Sequence, residues 1–160
     1  MYPFLRPFYE WAGKTWVGAT VAESNWLFPA VEAVHIVALT ILLGAIIVLD
    51  MRFFGVTMKR KAVRQLYLEL APWILVSLII IIASGGMLFA SEAMKAYTSG
   101  PFQIKMILLA AAIVFHYTLC RKAAKAAEGT VGPGLSRLAG TVSLVLWFGV
   151  GFAGRAIGFF

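Results

Sequence analysis

Four apolar runs constrain this chain more than anything else in it: Trp26–Leu49, Ala71–Ala90, Phe102–Leu119 and Leu138–Phe159. Each is long enough to cross the hydrocarbon core of a bilayer, which takes about 20 residues as a helix. Lipid offers no hydrogen bonds to the backbone, so each run must satisfy its N–H and C=O groups internally, as an α-helix does. Alternating short connections then make neighbouring helices antiparallel. The expected fold is all-α: an integral membrane four-helix antiparallel bundle with spans at about 26–50, 70–90, 102–120 and 138–159. Only 13% of the 160 residues are charged, against roughly 25% in soluble domains. Residues 1–160 are expected to form a single membrane domain.

Residues 1–24 mix Phe4, Leu5, Phe8, Trp11 and Trp16 with Arg6, Glu10, Lys14 and Glu23. This suits an N-terminal interfacial helix with aromatic rings at headgroup level. It lacks the basic tip and continuous apolar run of a signal peptide, so the first span is expected to be its own targeting signal. Ser24 and Asn25 are candidate N-caps, and Pro29 is tolerated in the opening turn of the first span. Gly55 is expected to end a helix, Pro72 to lie near a helix start beside the anchor Trp73, and Ser99-Gly100-Pro101 to form a turn. Gly129–Gly134 reads as the flexible connector before the last span.

The formal charge of +7 follows membrane topology rather than a nucleic-acid footprint. Arg52, Lys59, Arg60, Lys61 and Arg64 follow the first span; Arg121, Lys122, Lys125 and Arg137 flank the connection after the third. By the positive-inside rule both loops are expected to be cytoplasmic and both termini to face outward, which in the expected setting, a bacterial inner (cytoplasmic) membrane, is the periplasmic side. The lone cysteine, Cys120, excludes an intrachain disulfide. Gly85-Gly86 and Gly149, Gly151, Gly154 and Gly158 remove bulk from two spans. Gly154–Gly158 has GxxxG spacing, which permits close helix approach and makes a homo-oligomer an expectation. Close approach of a flat cofactor is the alternative use of such glycines.

A polar, metal-competent side chain inside a span is a functional-site hypothesis by default. The only two histidines, His35 and His116, both lie in apolar runs. Spans one and three run in the same direction, so depths can be compared. Counted from the outer ends, His35 lies ~13 Å in, His116 ~21 Å and Lys105 ~5 Å. Counted from the inner ends, the histidines differ by roughly 17 Å. A haem iron between His35 and His116 would need tilt or a longer first helix; Lys105 competes for the second position. Glu32, one turn before His35, is a candidate orienting carboxylate or part of a proton path. Arg155 and Lys105 are candidates to neutralise haem propionates or to snorkel. His116 and Cys120 share a face four residues apart, a candidate metal pair. Asp50 and Arg52 are expected to mark the inner interface. The methionines do not cluster as a copper path would.

Two resemblances bear on function. Trp26-x-Phe28-Pro29-x-x-Glu32-x-x-His35, Gly44, Asp50-x-Arg52 and Gly55 resemble a bacterial family of small four-span membrane proteins, a domain of unknown function. The match continues through Pro72-Trp73, Gly85, Phe89-Ala90-Ser91, Ala93, Tyr97, Phe102 and Lys105. More distantly, the chain resembles HemJ-type protoporphyrinogen oxidases and CopD-like domains in its four-helix plan, and His35, Gly44 and Arg52 are similar to the HemJ first-span pattern. Lys105 with His116-Tyr117 approximates the HemJ third-span pattern, with the Tyr-His pair reversed. This resemblance implies a haem b site on His35, with Lys105 or His116 opposite or nearby. The leading expectation is therefore a membrane-embedded haem b protein with a redox role, exchanging electrons with a quinone or an outer-face redox protein. The alternatives are a HemJ-like porphyrinogen-oxidising enzyme and a non-redox copper-handling or assembly subunit. No nucleic-acid partner is expected.

Overall fold

The computed structural model describes residues 3–58, 60–126 and 132–159. Two short helices, α1 (Arg6–Gly13) and α2 (Trp16–Glu23), precede a long α3 (Leu27–Phe53). Then come α4 (Val63–Ser91), the short α5 (Ala93–Thr98) and α6 (Gly100–Phe115). A π-helical stretch, His116–Cys120, carries α6 into α7 (Arg121–Lys125), and α8 (Pro133–Ala156) closes the bundle. Four spans result, Leu27–Phe53, Val63–Ser91, Gly100–Ala124 and Gly134–Ala156, each long and apolar enough to cross a membrane. The chain is thus a multi-pass membrane protein with the expected antiparallel four-helix plan. The end bearing the 54–62 loop is called the basic end below, and the opposite one the N-terminal end.

Local chemistry sets the helix boundaries. The Ser24 hydroxyl accepts the Leu27 N–H at 3.2 Å, and the Ser99 hydroxyl accepts that of Phe102 at 3.3 Å. Each satisfies one of the orphan donors at a helix start. Gly55, at φ +72°, lies just past the end of α3, where a left-handed residue after the last turn costs glycine nothing. Pro72 differs from expectation. α4 begins at Val63 rather than near residue 70, so Pro72 lies inside the helix. The added N-terminal turns bury Leu66 and Tyr67 while Leu68 and Glu69 face outward, so packing extends the helix beyond its continuous apolar run. The 129–134 connector lies for the most part outside the described residues.

The bundle is an incomplete ring. α3 packs between α4 and α8, and α6 packs on α8. Backbone contact between α4 and the third span is made chiefly at the basic end, through α7. Toward the N-terminal end α6 meets α4 through side chains, with Phe89 and Phe102 stacked at 5.5 Å. The third span is accordingly the least enclosed: 11% of its apolar window is buried, against 28% for each of the other spans. Leu42, Ile46, Ile74, Leu78, Ala112 and Trp147 form the mid-bundle core.

The interfacial segment is two helices rather than one. The Thr15 hydroxyl donates to the Ala12 carbonyl at 2.7 Å and accepts the Gly18 N–H at 3.3 Å, fixing the turn between them. α1 leans on α5 and α2 on α4, while Phe4, Phe8, Trp11 and Trp16 stay exposed, as amphipathic rings at a membrane interface do. Tyr9 contacts the rings of Phe89 and Tyr97 at 5.2 and 5.3 Å. At Gly18 a Cβ would lie 2.7 Å from the Ala90 carbonyl oxygen, so only glycine lets α2 dock on the α4 backbone. Gly18→Val should lower stability in detergent by about 1–3 kcal/mol, the usual cost of overpacking. It should also expose residues 14–25 to protease. Gly44→Ala, which adds a Cβ with nothing within 4 Å, should leave both thermal unfolding and proteolysis unchanged.

Candidate functional site

The two histidines occupy different layers of the bundle. His35 lies near the N-terminal end of α3, while His116 opens the π-helical stretch toward the basic end. The core layer of Leu42, Ile46, Ile74, Leu78 and Ala112 lies between them. The unequal depths anticipated from residue counting are therefore real, and helix tilt does not bring the rings together.

Around His35 three other spans converge. From α4, Ser84 lies 2.8 Å from His35 Nδ1. The Ser84 hydroxyl donates its single proton back to the Ile80 carbonyl at 2.6 Å, a common use of serine in a membrane helix. Toward His35 the Ser84 oxygen can then only accept, so Nδ1 carries the hydrogen and donates. The neutral ring consequently keeps its Nε2 lone pair available, the arrangement in which imidazole binds a metal or accepts a proton. Gly85 is the second α4 contribution. A Cβ there would stand 3.2 Å from His35 Cε1, so the glycine makes room for the ring itself. From α6, the Lys105 charge acts on His35. From α8, Gly154 gives the Lys105 chain its path: a Cβ would lie 3.5 Å from both Cε and Nζ. Gly158 has nothing within 4 Å, so of the GxxxG pair only Gly154 is taken up by packing within the chain.

An aromatic lid covers this layer. Phe89 lies five residues beyond Ser84 on α4 and Phe102 three residues before Lys105 on α6, which places their stack ~5–8 Å above the polar groups. Phe8 and Tyr9 of α1 add their rings to Phe89. The site thus lies under an apolar roof, between α4 and an α6 whose backbone stands off from it.

The remaining candidates fall elsewhere. Glu32 is exposed on α3, and the partner of the His35 Nδ1–H is Ser84 rather than this carboxylate. Arg155 is exposed beside Gly154, at the same end of the bundle as Lys105. His116 is buried, with its ring 6.2 Å from that of Tyr67 and 5.3 Å from that of Tyr117. Among the described residues no three His, Cys, Asp or Glu side chains gather as a metal-binding group. Asp50 departs most from expectation. It is fully buried rather than interfacial, while Arg52 turns away and donates from Nε to the Lys61 carbonyl at 2.9 Å. Two residues subtend about 200° on a helix, so one of the pair must face inward.

Ser84 was invisible as a site residue because serine is unremarkable in a membrane helix and its role depends on antiparallel register with α3. Replacing it tests that role. In the wild-type protein ¹⁵N NMR of labelled histidine should report an Nδ1–H, Nε2-bare ring for His35, with His116→Gln used to assign the two signals. Ser84→Ala should convert the His35 signal to mixed tautomers.

A sequence model described as a family of unknown function (DUF6644) matches residues 8–160. No curated protein and no solved structure matches the chain. The chain belongs to that family.

Proposed function

Because family membership assigns no activity, we propose a role from the site: a membrane-embedded haem b protein in which His35 supplies an axial ligand. The observation that carries this reading is the 2.8 Å contact of His35 Nδ1 with a Ser84 hydroxyl that is itself bonded to the Ile80 carbonyl. Its Nδ1–H is committed to Ser84, which orients the ring and leaves Nε2 as the donor atom, as outer-shell partners of metal-bound histidines do. The surroundings fit such a group. Lys105 offers a second nitrogen ligand or a partner for a propionate, and Arg155 adds a cation at the same end. The Phe89–Phe102 roof supplies a dry aromatic shell, and the stand-off between α4 and α6 gives a flat molecule a lateral way in from lipid. His116 is not part of this set. When bound, haem supplies one-electron chemistry whose potential depends on ligand identity and burial.

The same geometry supports the partners proposed. A quinol dissolved in the bilayer would approach from the lipid, to which α4 and α6 expose Ile79, Ile82, Ile104 and Ile107. A redox protein would approach the N-terminal end. With the basic loops cytoplasmic, both termini lie on the outer side of a bacterial cytoplasmic membrane. The HemJ-like resemblance of His35 and Lys105 agrees with a tetrapyrrole at this level. A porphyrinogen substrate would use the same Lys105 cation, and complementation of a strain lacking protoporphyrinogen oxidase separates the two roles.

Protein purified from haem-replete cells should show a Soret band, with α and β bands on dithionite reduction. His35→Ala should abolish these bands and His116→Ala should retain them. Lys105→Met should convert the spectrum to a high-spin form if lysine is the second ligand, and leave the ligand field unchanged if it pairs with a propionate. Colourless wild-type protein would overturn the proposal.

A further inference from the structure

Toward the basic end the bundle encloses a second polar layer, independent of the His35 site. Asp50 of α3 and Ser143 of α8 are fully buried, as is Cys120 of the π-helical stretch; His116 and Trp147 are 2% exposed. The Ser143 hydroxyl faces both the Asp50 carboxyl and the Cys120 thiol, and the Asp50 charge acts on Cys120. Yet both Asp50 oxygens, Ser143 Oγ, His116 Nδ1 and Trp147 Nε1 make no hydrogen bond of bonding geometry. Buried polar groups are nearly always satisfied, and unsatisfied ones demand an explanation. Ser143 of α8 lies between Asp50 and Cys120; Trp147 follows it by one turn, at the edge of the mid-bundle core, and His116 precedes Cys120 by one turn, against Tyr67 of α4.

Charge decides what occupies the layer. An ionised carboxylate without a partner would cost several kcal/mol in such surroundings. Among the described residues no cation is seen against Asp50: α3 turns Arg52 outward to the Lys61 carbonyl, and Arg137 of α8 is exposed. From the π-helical stretch and α7 come His116, Tyr117, Cys120 and the exposed Arg121, whose charge acts on Tyr67 and Tyr117. From α4 comes Tyr67, and α8 adds only the neutral Ser143 and Trp147. The set is rich in donors (hydroxyl, thiol, indole and imidazole N–H) around a single carboxyl, which suits water and a proton rather than a metal. A π-helical interruption at this point, a feature often retained at functional sites, shapes the wall bearing His116 and Cys120.

We propose that Asp50, Ser143, Cys120, His116 and Trp147 enclose a hydrated proton-binding site, in which the Asp50 carboxyl holds a proton exchangeable with solvent at the basic end. The proton comes from water on that side and adds to one carboxylate oxygen. Bridging water joins the carboxyl to the donors that protein geometry leaves unpaired. The site stands whether or not haem binds at His35, because the apolar core layer separates the two.

The chain itself provides the test. Asp50 is its only aspartate and Cys120 its only cysteine, so carboxyl-¹³C-labelled aspartate isolates one carboxyl in the infrared without mutation. At neutral pH the wild-type protein in lipid should show an isotope-shifted protonated-carboxyl band that moves within minutes of transfer to D₂O. Ser143→Ala should raise its frequency by weakening the hydrogen bonding, and Asp50→Asn, a neutral isostere, should remove it while preserving the fold. An ionised carboxylate band overturns the proposal, with or without an accompanying cation. So does a protonated band that stays unmoved in D₂O for hours, since that carboxyl would be dry and closed.

Discussion

The packing of α3 between α4 and α8 is the contact on which the rest of the structure depends. α3 carries the central residue of each polar layer, with His35 near one end and Asp50 near the other, ~22 Å apart along the axis. Its contact with α4 brings Ser84 and Gly85 to the imidazole. Its contact with α8 is close enough that a Cβ on Gly140 would stand 3.3 Å from the Asp50 carbonyl oxygen. If either interface shifted by a helical turn, one polar residue would be presented to hydrocarbon, where it is costly.

Between these layers the bundle is packed with aliphatic side chains, and this separation has a chemical consequence. Two polar sites in one low-dielectric bundle interact strongly if close, because little screens them. The Leu42–Ile46–Ile74–Leu78 layer holds them apart, so each keeps its own chemistry. Under the aromatic roof, the His35 layer has a donor nitrogen and a nearby cation. At the basic end, the Asp50 layer has a carboxyl and neutral donors. The openness of the ring on the α4–α6 side belongs to the first layer only, since α7 closes the gap beside the second.

Most of the architecture was legible from residue patterns. The spans, their antiparallel order, the helix end at Gly55 and the interfacial aromatics all follow from local chemistry that lipid enforces; of the turn expected at Ser99-Gly100-Pro101 only Ser99 breaks the helix, as the N-cap of α6. Pro72 was misplaced because proline is read as a helix boundary, yet in a membrane helix neighbouring groups tolerate it within the span. The site was legible in part. The depth count kept His116 away from His35 and left Lys105 open as a neighbour. It could not identify Ser84, or see that Glu32 points outward, because a three-residue spacing says that two side chains share a helix face and not which face is turned inward.

Asp50 and Arg52 show where the division lies. By itself the sequence determined that the chain crosses a membrane as four helices and that its few intramembrane polar residues need partners, since unpaired polar groups in hydrocarbon are expensive. Which partners they find was decided only by tertiary packing. The rotation of each helix about its own axis, and the register of α3 against α4 and α8, fix which atoms meet. Near-uniform apolar runs carry almost no amphipathic signal for that rotation. So the serine that orients His35, the lysine beside it and the enclosure of Asp50 became visible only once the helices were packed together.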